Sequence, residues 1–226
     1  MSRFVAVAAA AAAAASLLLL TRRRTKQAAA AAEDDDDEDE DEDDEATLRA
    51  LSGWLLPLWD DPAFDSVAAR YPEWGADAAS YRRAHGWLGH DLVHSARSSG
   101  PRVLGYWVER ATRTLVGIVR FGPGCESHRG LCHGGSMCSV LDDVLGHAAF
   151  VSDGAAKGPW SGATVQVNCA LKKACRVGAV MKVWGRVRER KGRRAFIDGG
   201  LEAEDGTVHA VLDGVTVECT REQLLG

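Results

Sequence analysis

Residues 133–151 read His-Gly-Gly-Ser-Met-Cys-Ser-Val-Leu-Asp-Asp-Val-Leu-Gly-His-Ala-Ala-Phe-Val, which puts a histidine, two glycines and two adjacent carboxylates into one short stretch. Gly134 and Gly135 let the backbone come close to a ligand and leave free amides at a positive helix end. His133 stands at the mouth. Asp142 and Asp143 sit further along a largely apolar segment, where a carboxylate is costly unless it is paired or has a task such as proton transfer. Adjacent residues on a helix lie about 100° apart, so the two cannot share one face. One of them is expected to face the interior, although both also fit the solvated edge of an amphipathic helix. Cys132 and Cys138 are nucleophile candidates, set against the commoner role of a thiol as a small apolar packing residue. The chain has 6 cysteines and no C-x-x-C pair, so zinc-finger spacing is absent and reduced thiols are expected.

The elements that must hold these residues follow from hydrophobic period. Met137, Val140, Leu141, Val144, Ala148 and Val151 recur at three- and four-residue steps and predict one buried helix over 133–151, with Ser136 as its cap. Before it, 103–109 and 114–121 read as a β-hairpin, followed by an irregular glycine-rich loop at 122–131. After it come four strands, at 161–171, 179–189, 195–204 and 207–218, with Asp205-Gly206 marking the last hairpin. Two strands, a long apolar helix and four strands predict an α+β domain in which an antiparallel sheet curls around the helix.

The chain has 226 residues and a formal charge of -5. The acidic run 33–45 supplies much of that charge, so the remaining body is basic and suited to an anionic ligand. Segment 1–27 carries an Ala- and Leu-rich stretch at 5–20 between arginines and has no acidic residue. Three readings of it stay open: a mitochondrial presequence, which its Ala-rich, Arg-bearing, acid-free composition favours, a short membrane anchor through 5–20, and a secretory signal. Segment 28–45 is of low complexity and is expected to be a disordered acidic linker. Segment 46–100 is expected to be a helical extension lying over an edge or groove of the domain at 101–226, with Trp74, Tyr81 and Trp87 as packing anchors. His85, His90 and His94 match no compact metal spacing and are read as scattered surface histidines.

At this point the residues resemble a known family. A His-Gly-Gly triplet at 133–135, Asp142 nine residues after the histidine, Thr164, and a strand carrying Asn168 and Lys172 together look like a hot-dog-fold acyl-CoA thioesterase. Mitochondrial thioesterase superfamily members related to the carboxyl-terminal modulator protein are the nearest likeness, since they too carry an N-terminal extension. The resemblance covers about residues 103–218. It implies Asp142 as general base or nucleophile, Thr164 as the residue positioning the attacking water or carboxylate, Gly135 with Gly134 as the backbone donor, and His133 as the residue ordering that loop. It also implies Lys172, Arg193 and Arg194 as contacts to coenzyme A, with Asn168 and Ala170 on the ligand-binding strand. Where relatives have Asn-Tyr-Lys-Arg-Pro, this chain has Ala-Leu-Lys-Lys-Ala from Ala170, so one ligand hydrogen bond is lost.

The family's helix and threonine strand come from different subunits, which implies a homodimer with the site at the interface and room for dimers to pair into tetramers. No metal and no cofactor are implied. Thioester hydrolysis needs an activated water, a donor for the carbonyl oxygen and a hold on a polyanionic leaving group. Asp142, the glycine amides and a basic set of Lys172, Lys173, Arg176, Arg193 and Arg194 are expected to supply these, the basic residues clustering near the site strand. Three rivals remain: a non-catalytic hot-dog protein binding acyl-CoA or a signalling partner, a dehydratase on the same fold, and nucleic-acid binding by the basic turns, which is not expected. Membrane association is open only through the N-terminal segment.

Overall fold

The computed structural model describes residues 53–55, 57–71, 78–95, 99–152, 161–220 and 222–223. The leader 1–27, the acidic linker 28–45, Trp74 and the loop 154–158 lie outside the described residues. Among the described residues nine strands form: β1 (Phe64–Ser66), β2 (Pro101–Glu109), β3 (Leu115–Phe121), β4 (Glu126–His128), β5 (Leu131–Cys132), β6 (Gly162–Leu171), β7 (Val180–Lys191), β8 (Arg194–Glu202) and β9 (Val208–Glu218). Four α-helices are present among these residues: α1 (Pro57–Asp60), α2 (Val67–Arg70), α3 (Ala78–Ala84) and α4 (Gly134–His147). None is long and apolar enough to cross a membrane.

Seven strands make one antiparallel sheet in the order β1-β2-β3-β7-β8-β9-β6, with α4 packed across its inner face. This is the expected α+β hot-dog arrangement, with the helix where the three- and four-residue spacing put it. Met137, Val140, Leu141, Val144 and Leu145 are at most 2% exposed and meet Leu115, Val119, Val183, Ile197, Leu201 and Ala210 from the sheet. The helix runs on into a π turn, Ala148–Ser152. The last hairpin turns at Gly206, whose φ of 78° suits glycine, while Asp205 Oδ1 accepts from the Thr207 amide at 2.9 Å.

Three details depart from expectation. The extension supplies a short strand, β1, which pairs with the outer edge of β2 from Phe64 opposite Glu109. Only three residues long, it has no alternation to read. Among its described residues the extension is less helical than expected: after Ala78–Ala84 the helix ends, and the chain turns at Gly86 with φ 83°. The loop before α4 contains a small hairpin, β4 with β5, in place of wholly irregular chain. The extension does cover the sheet as expected: Leu55 and Leu58 pack on Trp107, Val116 and Ile118, the outward-facing residues of β2 and β3.

Close approach of α4 to the sheet depends on Gly214. A methyl group there would collide with Leu145 Cδ1 and lie 3.0 Å from the Gln166 carbonyl oxygen, and Leu145 is fully buried with no space to retreat. Gly214→Ala is therefore expected to destabilise the fold by about 1–3 kcal/mol, as overpacking does. Urea unfolding checks this as a lower midpoint at unchanged slope.

Candidate active site

The start of α4 is built by His133. It occupies the N-cap position in extended conformation, and its Nδ1 accepts from the Gly135 amide at 2.8 Å. The Ser136 amide donates to the His133 carbonyl at 3.0 Å, so Ser136 lies inside the helix and is not its cap. A histidine ring does here what a serine hydroxyl usually does. The consequence falls on the glycines. The Gly135 N–H is engaged by the ring, whereas the Gly134 N–H has no hydrogen-bond partner among the described residues. A free amide on the first turn of a helix is a ready donor for a developing oxyanion. Gly134 also faces Leu171 of β6 so closely that a Cβ would crowd that side chain.

The two aspartates part as their 100° spacing requires, in a sense the sequence left open. Asp142 is exposed in the single chain, so the expected apolar surroundings of this carboxylate are not found there. The face of α4 that dives into the core carries Val140, Leu141, Val144 and Leu145 and turns Asp142 outward, toward β6, where its charge helps to raise the Cys169 thiol pKa. Asp143 is the carboxylate drawn inside. Its Oδ2 accepts from Tyr106 Oη at 2.8 Å and lies 3.0 Å from His94 Nε2 and 3.4 Å from His147 Nδ1. Burial opposes its ionisation, but His147, His94 and the Tyr106 hydroxyl outweigh burial and hold the carboxyl well below the usual range. Burial also works against charge on His94, where Asp143 overcomes it and raises the pKa; on His147 burial wins and the pKa falls.

His94 is thus not a scattered surface histidine. Asp91 fixes its backbone, Oδ1 accepting from the Val93 and His94 amides at 3.0 and 3.1 Å, while Arg82 pairs with the other carboxylate oxygen at 3.0 Å. This cluster was not legible in the sequence, because its partners lie 49 and 37 residues from Asp143. Only the Asp143–His147 spacing, one helical turn, was available as a signal.

The remaining candidates lie along β6 and the turns beside it. Thr164 is half-buried opposite Thr216 of β9, and Asn168, Ala170 and Lys172 are exposed. The expected clustering of basic residues does not occur in one chain. Leu171, next to Lys172, pairs with Ala210 at one end of β9, and Arg194 pairs with Val217 at the other. At about 3.4 Å per residue those ends are about 24 Å apart. Thr164 lies with the arginine end, and Asp142 with the lysine end beside Cys169.

Cys132 behaves as the apolar reading expects. All six cysteines are free, and Cys132 hydrogen-bonds to both Cys125 and Cys175. Burial raises the Cys132 thiol, which opposes a thiolate nucleophile at neutral pH.

No protein-family model matches the chain, and no curated protein matches it. Several solved structures are similar in chain path. A hypothetical thioesterase protein from Streptococcus pneumoniae TIGR4, solved with coenzyme A, is 14% identical, with 53% of this chain and 86% of that one covered at a TM-score of 0.44. Zebra fish thioesterase superfamily member 2 is 19% identical over 53% and 81%, TM-score 0.43. The E. coli PaaI protein of the phenylacetic acid degradation operon is 15% identical over 64% and 96%, TM-score 0.46.

Proposed function

We propose that this chain is an acyl-CoA thioesterase that hydrolyses fatty acyl-CoA to a fatty acid and coenzyme A, and that it works as a homodimer. The observation that carries the reading is the pairing, on one helix, of the unengaged Gly134 amide with the outward-facing carboxylate of Asp142, beside an apolar edge strand. Eight residues at 1.5 Å each put that amide and that carboxylate about 12 Å apart along α4. A single thioester carbonyl cannot touch both. Two copies related by a two-fold axis, with their helices antiparallel, bring the amide of one to the carboxylate of the other.

The sheet supplies the surface for such a pair. Among the described residues β6 is an unpaired edge, ten residues long, with Val165, Val167 and Leu171 55%, 37% and 48% exposed. Long apolar edges of this kind pair with another strand. A two-fold near Val167 sets Thr164 of the partner subunit opposite the Cys169–Ala170 end of β6, which is where Asp142 points. It also carries the partner's Arg193 and Arg194 toward Lys172, joining two basic groups that one chain holds apart. The acyl chain then lies along α4, the carbonyl oxygen accepts from Gly134, and the Asp142 carboxylate takes the proton of a water placed by Thr164. Attack of that water on the carbonyl carbon breaks the C–S bond, and coenzyme A leaves as its thiol.

Purified protein and a panel of acyl-CoA lengths test the reading, with coenzyme A release as the readout. Hydrolysis of fatty acyl-CoA is expected; a protein that hydrolyses none while binding them is the non-catalytic alternative. Val167→Glu, which places two like charges at the two-fold, is expected to give monomers by light scattering and to abolish turnover with them. The leader points to mitochondria, with anchoring through 5–20 as the second reading. A fusion of residues 1–27 to a reporter, imaged and extracted with carbonate, separates matrix import from membrane retention.

A further inference from the structure

The cluster around Asp143, on the inward-turned side of α4, has no part in the hydrolysis proposed above. Asp143 and His147, one helical turn apart, are stacked on a single face. The segment before β2 brings His94 against them, its backbone held by Asp91. One donor atom from each of the three side chains lies within 4.8 Å of the others, with Asp143 Oδ2 at 3.0 and 3.4 Å from the two imidazole nitrogens. Zinc binds imidazole and carboxylate at about 2.0–2.2 Å, so adjacent ligands in a tetrahedron are about 3.3 Å apart. Two edges of the triangle already have that length. Closing the third asks only that His94, on a segment outside the helix, move inward.

We infer that His94, Asp143 and His147 bind a divalent transition metal of the zinc class, one per chain, pinning the segment before β2 to the central helix. Two imidazoles and one carboxylate suit borderline ions such as Zn2+, and do not suit Ca2+ or Mg2+, which take oxygen ligands. To ligate through Nδ1, His147 gives up its 2.9 Å hydrogen bond to the Asp143 carbonyl and carries its single ring proton on Nε2 instead, while a protonated His94 releases the proton on its ligating nitrogen to solvent, so that both imidazoles bind the ion as neutral rings. Tyr106, 2.8 Å from Asp143 Oδ2, stays beside the carboxylate as its orienting partner. The side chains of His94, Asp143 and His147 are 16%, 18% and 10% exposed, which leaves a way in for the ion. Because Asp142 is exposed and is not a member of this cluster, the site stands whether or not the chain hydrolyses thioesters.

The full chain, stripped with a chelator and titrated with Co2+, tests the proposal. Visible ligand-field bands of four-coordinate Co2+ are expected at one ion per chain, without a thiolate charge-transfer band, and Zn2+ is expected to abolish them. Zn2+ is also expected to raise the thermal midpoint. His94→Ala and His147→Ala are each expected to weaken Co2+ binding at least tenfold, while His128→Ala, at an exposed histidine on β4, leaves it unchanged. Should His147→Ala not fold, His94→Ala, outside the helix, decides alone. Absence of the Co2+ bands overturns the site and leaves a hydrogen-bonded clamp. Binding that survives the histidine substitutions also overturns it and moves the ion to the acidic run 33–45; a thiolate charge-transfer band moves it to the cysteines.

Discussion

Asp142→Asn is expected to lower acyl-CoA hydrolysis by about 10²–10⁴-fold, the usual loss when a positioned general base is removed. The amide keeps the shape of the side chain and loses the proton acceptor. Because Asp142 is exposed in the single chain and makes no structural ion pair among the described residues, the substitution is expected to leave the thermal midpoint nearly unchanged. Asp143→Asn behaves in the opposite way. It removes a buried charge held between His94, His147 and Tyr106, so stability falls while the chemistry at Asp142 persists in the folded fraction. Steady-state rates and unfolding curves on both variants separate the roles. Undiminished turnover in Asp142→Asn would remove this carboxylate from the mechanism.

The difference between two neighbouring aspartates shows where sequence stops being informative. That α4 exists and which stripe of it is apolar was legible, because Met137, Val140, Leu141 and Val144 repeat at the helical period and the sheet has to cover them. The strands were legible for the same kind of reason, and their ends lie within a few residues of expectation. Which aspartate turns inward was not, since both flank the stripe. The choice is made by Tyr106 on β2 and His94 before it, residues whose approach depends on the whole fold. Equally illegible was the separation of Lys172 from Arg193 and Arg194: the arginines sit at the turn between β7 and β8, and strand order places that turn at the far end of β9. The cap shows a local limit. Preference favours Ser136, and the His133 ring takes the position because its Nδ1 reaches the Gly135 amide.

A mixture of two inactive variants tests the shared site most sharply. Asp142→Asn and Thr164→Val homodimers are both expected to be impaired, each having both sites damaged in the same way. If Asp142 of one chain works with Thr164 of the partner subunit, a mixed dimer has one site with both substitutions and one with neither. Unfolded and refolded together in equal amounts, half of the dimers are mixed, and recovery of roughly a quarter of the unsubstituted activity is expected. That figure lies far above the mean of the two parents. Were Asp142 to work with the threonine of its own chain, every site in the mixture would carry one lesion and activity would stay at that mean. In the single chain Thr164 lies five residues along β6 from Cys169, about 17 Å from the strand position that Asp142 faces. That separation is why recovery is the expected result.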